Sequence, residues 1–498
     1  MTFGRAGKRN RDSFDTAFAG VQKAIAAHRF EEALARLMRM GEDNLFPAAY
    51  RWKYHATAGQ LLYMLGELEA ALPHLRSSWN LEGAPQDERA ELLSNYLMTL
   101  HYTADISDAE MREEHGACAR IFGGVPQFSH GKRRREKIRI GYVSPSLSEH
   151  VVLNFAVQLF SGYDHARFAV YLYDVGRGRG DEVTDWLAGM VDGYRSLGGK
   201  PPAEAAAAIY ADEIDILFDL AGHTAGGRTL RIAACRPAPV QVSGIGYFDT
   251  TGLPAMDYVL GDPVCDPPGM EALFFEKILR LPRTHLCFTP PERFAPYENI
   301  VRRAHAPVVF GSFNNFSKIT DETLRLWAEI LRRVPDARLL LKNVNSNMEP
   351  VERMRRRAAR AGLSSERIEL RPGTRDYLRD YLDADIILDT YPYQGGGTTC
   401  EALFMGLPVV TRAGTRHGAR FGMGILQNAG LGELAADTPA SYVERAVLLA
   451  RDGELLAALH GAAQRMMRAS PMMDGARYVR DMEEAYETIW ERYLNEET

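Results

Sequence analysis

Two stretches of the chain alternate short apolar runs with helix-length segments, and nothing else in the sequence restricts the fold as much. The first stretch runs through Ile138–Ser144, Phe168–Tyr173, Ile214–Asp219 and Val240–Ser243, with helices expected near 150–161, 181–190 and 201–211. The second runs through Val308–Phe313, Arg338–Lys342, Arg367–Leu370, Ile386–Asp389 and Pro408–Thr411, with helices expected near 321–333, 349–361, 375–382 and 398–405. Parallel strands need such crossovers, and helices then cover both faces of the sheet. Right-handed crossovers turn each stretch into a doubly wound unit that binds ligands at the carboxyl ends of its strands. The expected fold class is α/β: two Rossmann-like units with a cleft between them, behind an all-α region.

Residues 1–12 carry Gly4, Gly7 and the run Lys8–Arg11 with few apolar residues to pack, and they are expected to be disordered. Residues 13–130 follow a helical period. Within them His28–Leu37 recurs 38 residues later as Gly66–Leu75, behind Gln60–Leu65. That helix, glycine turn, helix pattern, with small Ala71 at a close approach, suggests short tetratricopeptide-like repeats. The basic run 131–137 reads as a solvated linker. A first lobe is expected over 137–300 and a second over 307–475. Nine prolines between Pro254 and Pro307 suggest an irregular, wrapping segment there. An amphipathic helix closes the chain at 476–498, with Met482, Ala485, Ile489 and Tyr493 on one face and acids on the other.

Composition removes several classes of function. Lys and Arg number 59 against 65 Asp and Glu, a net charge of -6, which does not suit a general nucleic-acid or membrane-surface binder. The five cysteines are scattered without a CxxC, so neither a disulfide framework nor a zinc ribbon is expected. No apolar run approaches the roughly 18 residues of a membrane span. A soluble, cytoplasmic protein is expected, without nucleic-acid or membrane partners. No GxGxxG or GxxxxGK[ST] follows a strand, which sets aside dinucleotide oxidoreductases and P-loop NTPases. The histidines are too isolated to suggest a metal site.

Three strand-to-loop junctions carry the chemistry. Asp389–Leu403 ends a strand, passes Gly395, Gly396 and Gly397, supplies the Thr398 and Thr399 hydroxyls and opens a helix. Close backbone approach and unpaired N–H groups make such a junction an anion site suited to a diphosphate. It has no P-loop lysine, so a bound sugar nucleotide fits better than ATP hydrolysis, and Glu401 is placed for ribose hydroxyls. Phe313–Lys318 also leaves a strand, bringing Asn315 to the donor side and Lys318 within reach of a phosphate. In the first unit, Ser144–His150 and Asp219–Arg228 follow strands, and their His150, His223 and Thr224 suit a bound acceptor hydroxyl.

Further runs carry a family resemblance: Gly141–Ser144, Pro237–Val242, Gly246–Tyr247, Thr251–Pro254, Asp257–Tyr258, Asp389–Glu401 and Met405–Pro408. With these the chain resembles the O-linked N-acetylglucosamine transferase and SPINDLY family (glycosyltransferase family 41), over about residues 88–494. The resemblance implies a GT-B fold and an inverting, metal-independent transfer of a sugar, GlcNAc favoured, from a nucleotide sugar to a protein or peptide Ser/Thr. It further implies that His150 stands at the active-site mouth, that Lys318 steadies the leaving diphosphate, and that Thr398 and Thr399 bind it. Glu401 would face the ribose, Tyr377 would stack on the base in place of a histidine, and Tyr247 would belong to an active-site loop. Gly396 or Gly397 stands where animal enzymes carry a histidine, as in SPINDLY and bacterial forms. UDP-GlcNAc is the favoured donor, with UDP-glucose and GDP-fucose open. O-fucosyl or N-glucosyl transfer, a small-molecule or glycan acceptor, sugar-nucleotide epimerisation, an inactive interaction protein, and homo-oligomerisation also stay open. No cofactor or metal is expected.

Overall fold

The computed structural model describes residues 3–42, 46–176, 178, 180–344 and 346–496, with side chains from residue 14 onward. Seven parallel strands form the first sheet: β1 (Ile138–Ser144), β2 (Phe168–Asp174), β3 (Gly193–Ser196), β4 (Ile216–Asp219), β5 (Val240–Ser243), β6 (Tyr258–Gly261) and β7 (Lys277–Arg280), in the order β3-β2-β1-β4-β5-β6-β7. Six form the second: β8 (Val309–Ser312), β9 (Arg338–Lys342), β10 (Ile368–Arg371), β11 (Ile386–Leu388), β12 (Val409–Arg412) and β13 (Ala435–Ala436), in the order β10-β9-β8-β11-β12-β13. Two doubly wound lobes of this kind are the GT-B fold.

The proline-rich segment differs from the expectation of irregular chain. It contains β6 and β7, which extend the first sheet in parallel and are joined through the short turn Met270–Leu273. The prolines fall between the strands, where no ladder N–H is needed. The helix expected near 375–382 is a run of tight turns, Tyr377–Asp383. Elsewhere local chemistry sets the ends of helices. Asp321–Arg333, for example, starts at Thr320, whose hydroxyl accepts the Thr323 amide at 3.1 Å, and carries Asp321 and Glu322 in its first turn and Arg332 and Arg333 in its last.

Two helical hairpins open the chain, Phe3–Ala26 with Phe30–Glu42 and Arg51–Met64 with Leu68–Asn80. Backbone helix begins at Phe3, so residues 3–12 depart from the expected disorder. Once Phe14 and Val21 bury their side chains, extending the helix toward the terminus costs little because the nucleus is already formed. Residues 1 and 2 lie outside the described residues. The offset between the hairpins is visible in their turns, because His28 and Gly66 both take a left-handed backbone, φ +56° and +78°. Glycine adopts that conformation freely and histidine only at a cost.

The helical region touches both lobes. Leu93, Leu97, Ile121 and Phe122 share one core with Leu230, Leu253 and Met256 of the first lobe. On the second lobe the Glu349 carboxylate accepts the Phe30 and Glu31 amides at 3.0 and 2.8 Å, capping a helix of the hairpin from outside it. Arg353 adds ion pairs to Glu31 and Glu67. The last helix, Gly475–Asn495, returns to the first lobe, where Tyr478, Met482, Tyr486 and Trp490 pack beneath β1 and β4. Part of its acidic face is buried. Asp481 accepts Arg283 at 2.7 Å, and Glu483 accepts the Asp164 amide at 2.7 Å. Among the described residues no helix is long and apolar enough to cross a membrane.

Candidate active site

Strand order reverses between β1 and β4 in the first sheet and between β8 and β11 in the second, and ligands bind at such points in doubly wound sheets. Loops leaving these four strands surround one cavity of about 560 Å³. His150 reaches it from the β1 loop, Thr224 from β4, Lys318 from β8, and Gly396, Gly397 and Thr398 from β11.

The β11 loop is held from below by Asp389. Its buried carboxylate accepts the Thr390 amide at 2.9 Å, the Gly395 amide at 2.8 Å and the Thr411 hydroxyl at 2.8 Å. Burial pushes its pKa up, against the pull of these donors and of Lys318. A Cβ on Gly395 would lie 2.2 Å from the Thr398 hydroxyl oxygen, so the loop closes this tightly only without one. A Cβ on Gly396 would make only an ordinary contact, 3.9 Å from the Phe421 ring, and Gly397 faces Val151 of the first lobe. The helix Gly397–Phe404 then starts without a side-chain cap, leaving its first N–H groups toward the cavity.

Lys318 ends the turn Phe316–Lys318. Its ammonium donates to the Gln394 carbonyl at 3.0 Å and lies 3.6 Å from the centre of the Tyr393 ring. Burial lowers its pKa while Asp389 opposes the shift. A lysine held by one carbonyl and one ring, facing a helix start, keeps donor capacity for an anion. Glu401, one turn into that helix, accepts the Tyr377 hydroxyl at 2.6 Å and that of Tyr381 at 3.2 Å. Burial raises its pKa, and the two phenols counter this. A carboxylate has about four acceptor sites, so Glu401 retains room for ribose hydroxyls.

Several expected residues lie elsewhere. Thr399 is buried, its hydroxyl turned back to the Gly395 carbonyl at 2.6 Å, and the Gly395 amide is taken by Asp389. Both shape the loop without facing the cavity. Asn315 accepts the Ser317 amide at 3.1 Å and lines a separate cavity of about 280 Å³ beside the helical region. His223 is fully buried between the Ser94 hydroxyl and the Thr251 carbonyl, each 2.9 Å away, and burial drives its pKa down to about 3. Tyr247 is equally enclosed, its hydroxyl 3.0 Å from His101 Nε2 and 2.6 Å from His115 Nε2. His223 and Tyr247 therefore join the helical region to the first lobe, and of the acceptor-side group only Thr224 lines the cavity.

His150 stands at the mouth, and its surroundings lower its pKa by desolvation. Its Nδ1 accepts the Val152 amide at 3.2 Å, which places the proton of the neutral ring on Nε2. The sequence reading missed Lys342 and Asn343 on the cavity wall. Lys342 pairs with Asp380 at 2.6 Å and donates to the Thr374 hydroxyl at 2.7 Å. A lysine ending the apolar run Leu339–Leu341 at a strand's carboxyl end is the signal that marked it.

Among the described residues, Asp262, Cys265 and His285 bring ligand atoms within 4.8 Å of one another. Asp262 already accepts the amides of Val264, Cys265 and His285 and the His285 ring Nδ1, which occupies its acceptor sites. The trio lies outside the cavity lining.

Two facing doubly wound lobes, with an uncapped helix start and a lysine meeting at their switch points, have the architecture of the GT-B glycosyltransferases. The chain belongs to glycosyl transferase family 41, whose model matches residues 124–294 and 299–482. It is 35% identical over 412 residues to the "Probable UDP-N-acetylglucosamine--peptide N-acetylglucosaminyltransferase SPINDLY" of Petunia hybrida, covering 80% of this chain and 44% of that protein. The protein of the same description from Solanum lycopersicum is 35% identical over 415 residues, again covering 80% and 44%. The chain thus spans less than half the length of these curated relatives. A solved Thermobaculum terrenum O-GlcNAc transferase mutant is similar over 98% of this chain and 99% of its own, at 30% identity and a TM-score of 0.82.

Proposed function

We propose that the chain transfers N-acetylglucosamine from UDP-N-acetylglucosamine to a Ser or Thr hydroxyl of a protein or peptide, with inversion at the anomeric carbon. The observation that carries this reading is the meeting of Lys318 and the Gly397–Phe404 helix start in one cavity with His150. The names of the relatives support the donor and the peptide acceptor. In this reading the diphosphate rests on the amides at Gly397 and Thr398 beneath the Lys318 ammonium, and Glu401 and Tyr377 meet the nucleoside. The acceptor hydroxyl enters from the side of His150 and Thr224.

The acceptor oxygen attacks the anomeric carbon from the face opposite the diphosphate. The new C–O bond forms as the bond to the phosphate oxygen breaks, and that oxygen leaves with the electron pair. Its growing charge meets the ammonium and N–H dipoles already in place, the arrangement that stabilises a transition state more than a ground state. The hydroxyl proton must leave as well. It passes to His150, whose Nδ1 is freed to accept it only when the Val152 amide is released.

A thermal-shift panel of UDP-N-acetylglucosamine, UDP-glucose, GDP-fucose and their free nucleotides tests the donor, followed by mass-spectrometric detection of transfer to Ser/Thr peptides in EDTA. A donor at about 100 times its Kd stabilises the fold by roughly 2.7 kcal/mol. Stabilisation by GDP-fucose alone, or transfer that needs an added divalent ion, would refute the reading.

A further inference from the structure

We propose that Tyr63, Tyr102 and Tyr393 form an aromatic bridge through which the helical region positions the Lys318 ammonium, so that the second lobe's site is complete only with that region docked. The inference rests on the reading of Lys318 as the group that meets the diphosphate. Tyr393 lies on the β11 loop, and its ring is the surface on which the ammonium sits, 3.6 Å from the ring centre. The edge of that ring is packed by Tyr102, at 5.1 Å between centroids and 77° between planes. Tyr102 is buried and in turn meets Tyr63 at 5.5 Å and 81°. Tyr63 and Ser317, the residue next to Lys318, line the same cavity of about 280 Å³, with the Tyr63 hydroxyl near those of Tyr102 and Ser317.

The helical region therefore reaches Lys318 twice, through the ring beneath the ammonium and through the turn that carries it. Tyr63 lies on the helix Arg51–Met64 and Tyr102 in the turn after the helix Gln86–Leu100, so the bridge also depends on how the hairpin Arg51–Met64 with Leu68–Asn80 is seated. That seat is fixed on the second lobe through Arg353, which pairs with Glu67 just past Tyr63. Apart from the helical region, Tyr393 has the ring of Phe248, 4.5 Å away on the first lobe. Burial keeps the phenols of Tyr102 and Tyr393 protonated, so they act as neutral dipoles and π faces.

A π face beneath an ammonium favours its charged form. Asp389 acts in the same sense, burial acts against it, and His150, Lys342 and Glu401 face Lys318 around the cavity. Loss of the ring face should therefore let Lys318 lose its proton at lower pH. Rates at saturating donor, measured with the full chain across pH, test this together with melting temperature and UDP affinity. Tyr393→Leu is expected to cut turnover roughly tenfold and to move the alkaline limb by about 0.5–1 unit toward lower pH. Tyr102→Leu should move the limb in the same direction, and Tyr393→Phe should return it to the wild-type position. Limbs that stay in place in both leucine variants, at wild-type melting temperature, would overturn the proposal. If the leucine variants do not fold, Tyr63→Phe decides, since it removes only the hydroxyl shared with Tyr102 and Ser317. A loss of roughly fivefold in turnover is then expected, and a wild-type rate and limb would overturn the bridge. Lys318→Ala with wild-type turnover would overturn the underlying reading instead, so the two failures are distinguishable.

Discussion

At the scale of single residues, Lys318 and His150 make different demands on the reaction. Lys318 meets ground-state phosphate and, more strongly, the charge that develops as the sugar departs. Lys318→Ala should weaken donor binding modestly and lower single-turnover transfer by about 10²–10³-fold, the range for losing one preorganised donor. Lys318→Arg should recover only part, because a planar fork does not fit the niche between the Gln394 carbonyl and the Tyr393 ring. His150→Ala should lower turnover by roughly 10²-fold while leaving UDP affinity in calorimetry nearly unchanged. Because His150 takes the proton only in its neutral form and burial lowers its pKa, the acid limb should lie below the ordinary histidine range. An acid limb at or above that range would assign it to another group.

At the scale of elements, the β11 loop divides its three glycines between two tasks. Gly395→Ala must push the Thr398 oxygen aside and should cost about 1–3 kcal/mol in chemical denaturation. Gly396→Ala makes only an ordinary contact with Phe421, so it should leave stability within about 0.5 kcal/mol and raise the donor KM. Equal losses of stability in the two variants would contradict this division. The glycine run, the threonines and the strand before them were plain in the sequence because they are contiguous. So were the two alternating stretches, whose apolar runs mark the buried central strands. The strands hidden from that reading are β3, β6, β7 and β13, four residues or fewer; β6 and β7 are set among prolines, and β3, β7 and β13 lie at sheet edges. Sequence neighbourhood also made His223 look like a partner of Thr224 in the site. Its side chain turns the other way, toward Ser94 and Thr251, a choice made by residues more than a hundred positions upstream and nearly thirty downstream. Tyr393 and Lys342 were missed for the same reason, because their partners are brought to them only by the fold.

At the scale of the whole molecule, the lobes meet through buried charge. His417 follows β12, and its Nδ1 lies 2.8 Å from both carboxylate oxygens of Asp266, which lies between β6 and β7. Burial opposes a charge on His417, but Asp266, with Asp262 and Asp249 behind it, outweighs burial and raises its pKa. A pKa raised by folding gives stability that is complete below the unfolded histidine value near 6.5 and is lost as pH rises through the folded value. Melting temperature should therefore fall across that window above about pH 6.5, and His417→Gln should flatten the fall. His101 and His223, whose pKa values burial depresses, have the opposite sign. They lose stability as pH drops below about 6.5, at the junction of the helical region with the first lobe. A melting temperature that keeps rising above neutral pH would contradict the His417 assignment.

The return of the helix Gly475–Asn495 to the first lobe makes the second lobe an insertion, threaded into its neighbour at both ends. A body pinned at two crossings swings about the line that joins them, as a door does on two hinges, and cannot drift away like a bead on one string. The same threading separates neighbours in sequence from neighbours in cooperativity. Cutting the chain after Asp474 removes Tyr478, Met482, Tyr486 and Trp490 from beneath β1 and β4. In hydrogen exchange, the amides of β1 and β4 should then lose protection well before those of β9 and β12, although the cut lies far closer in sequence to the second lobe.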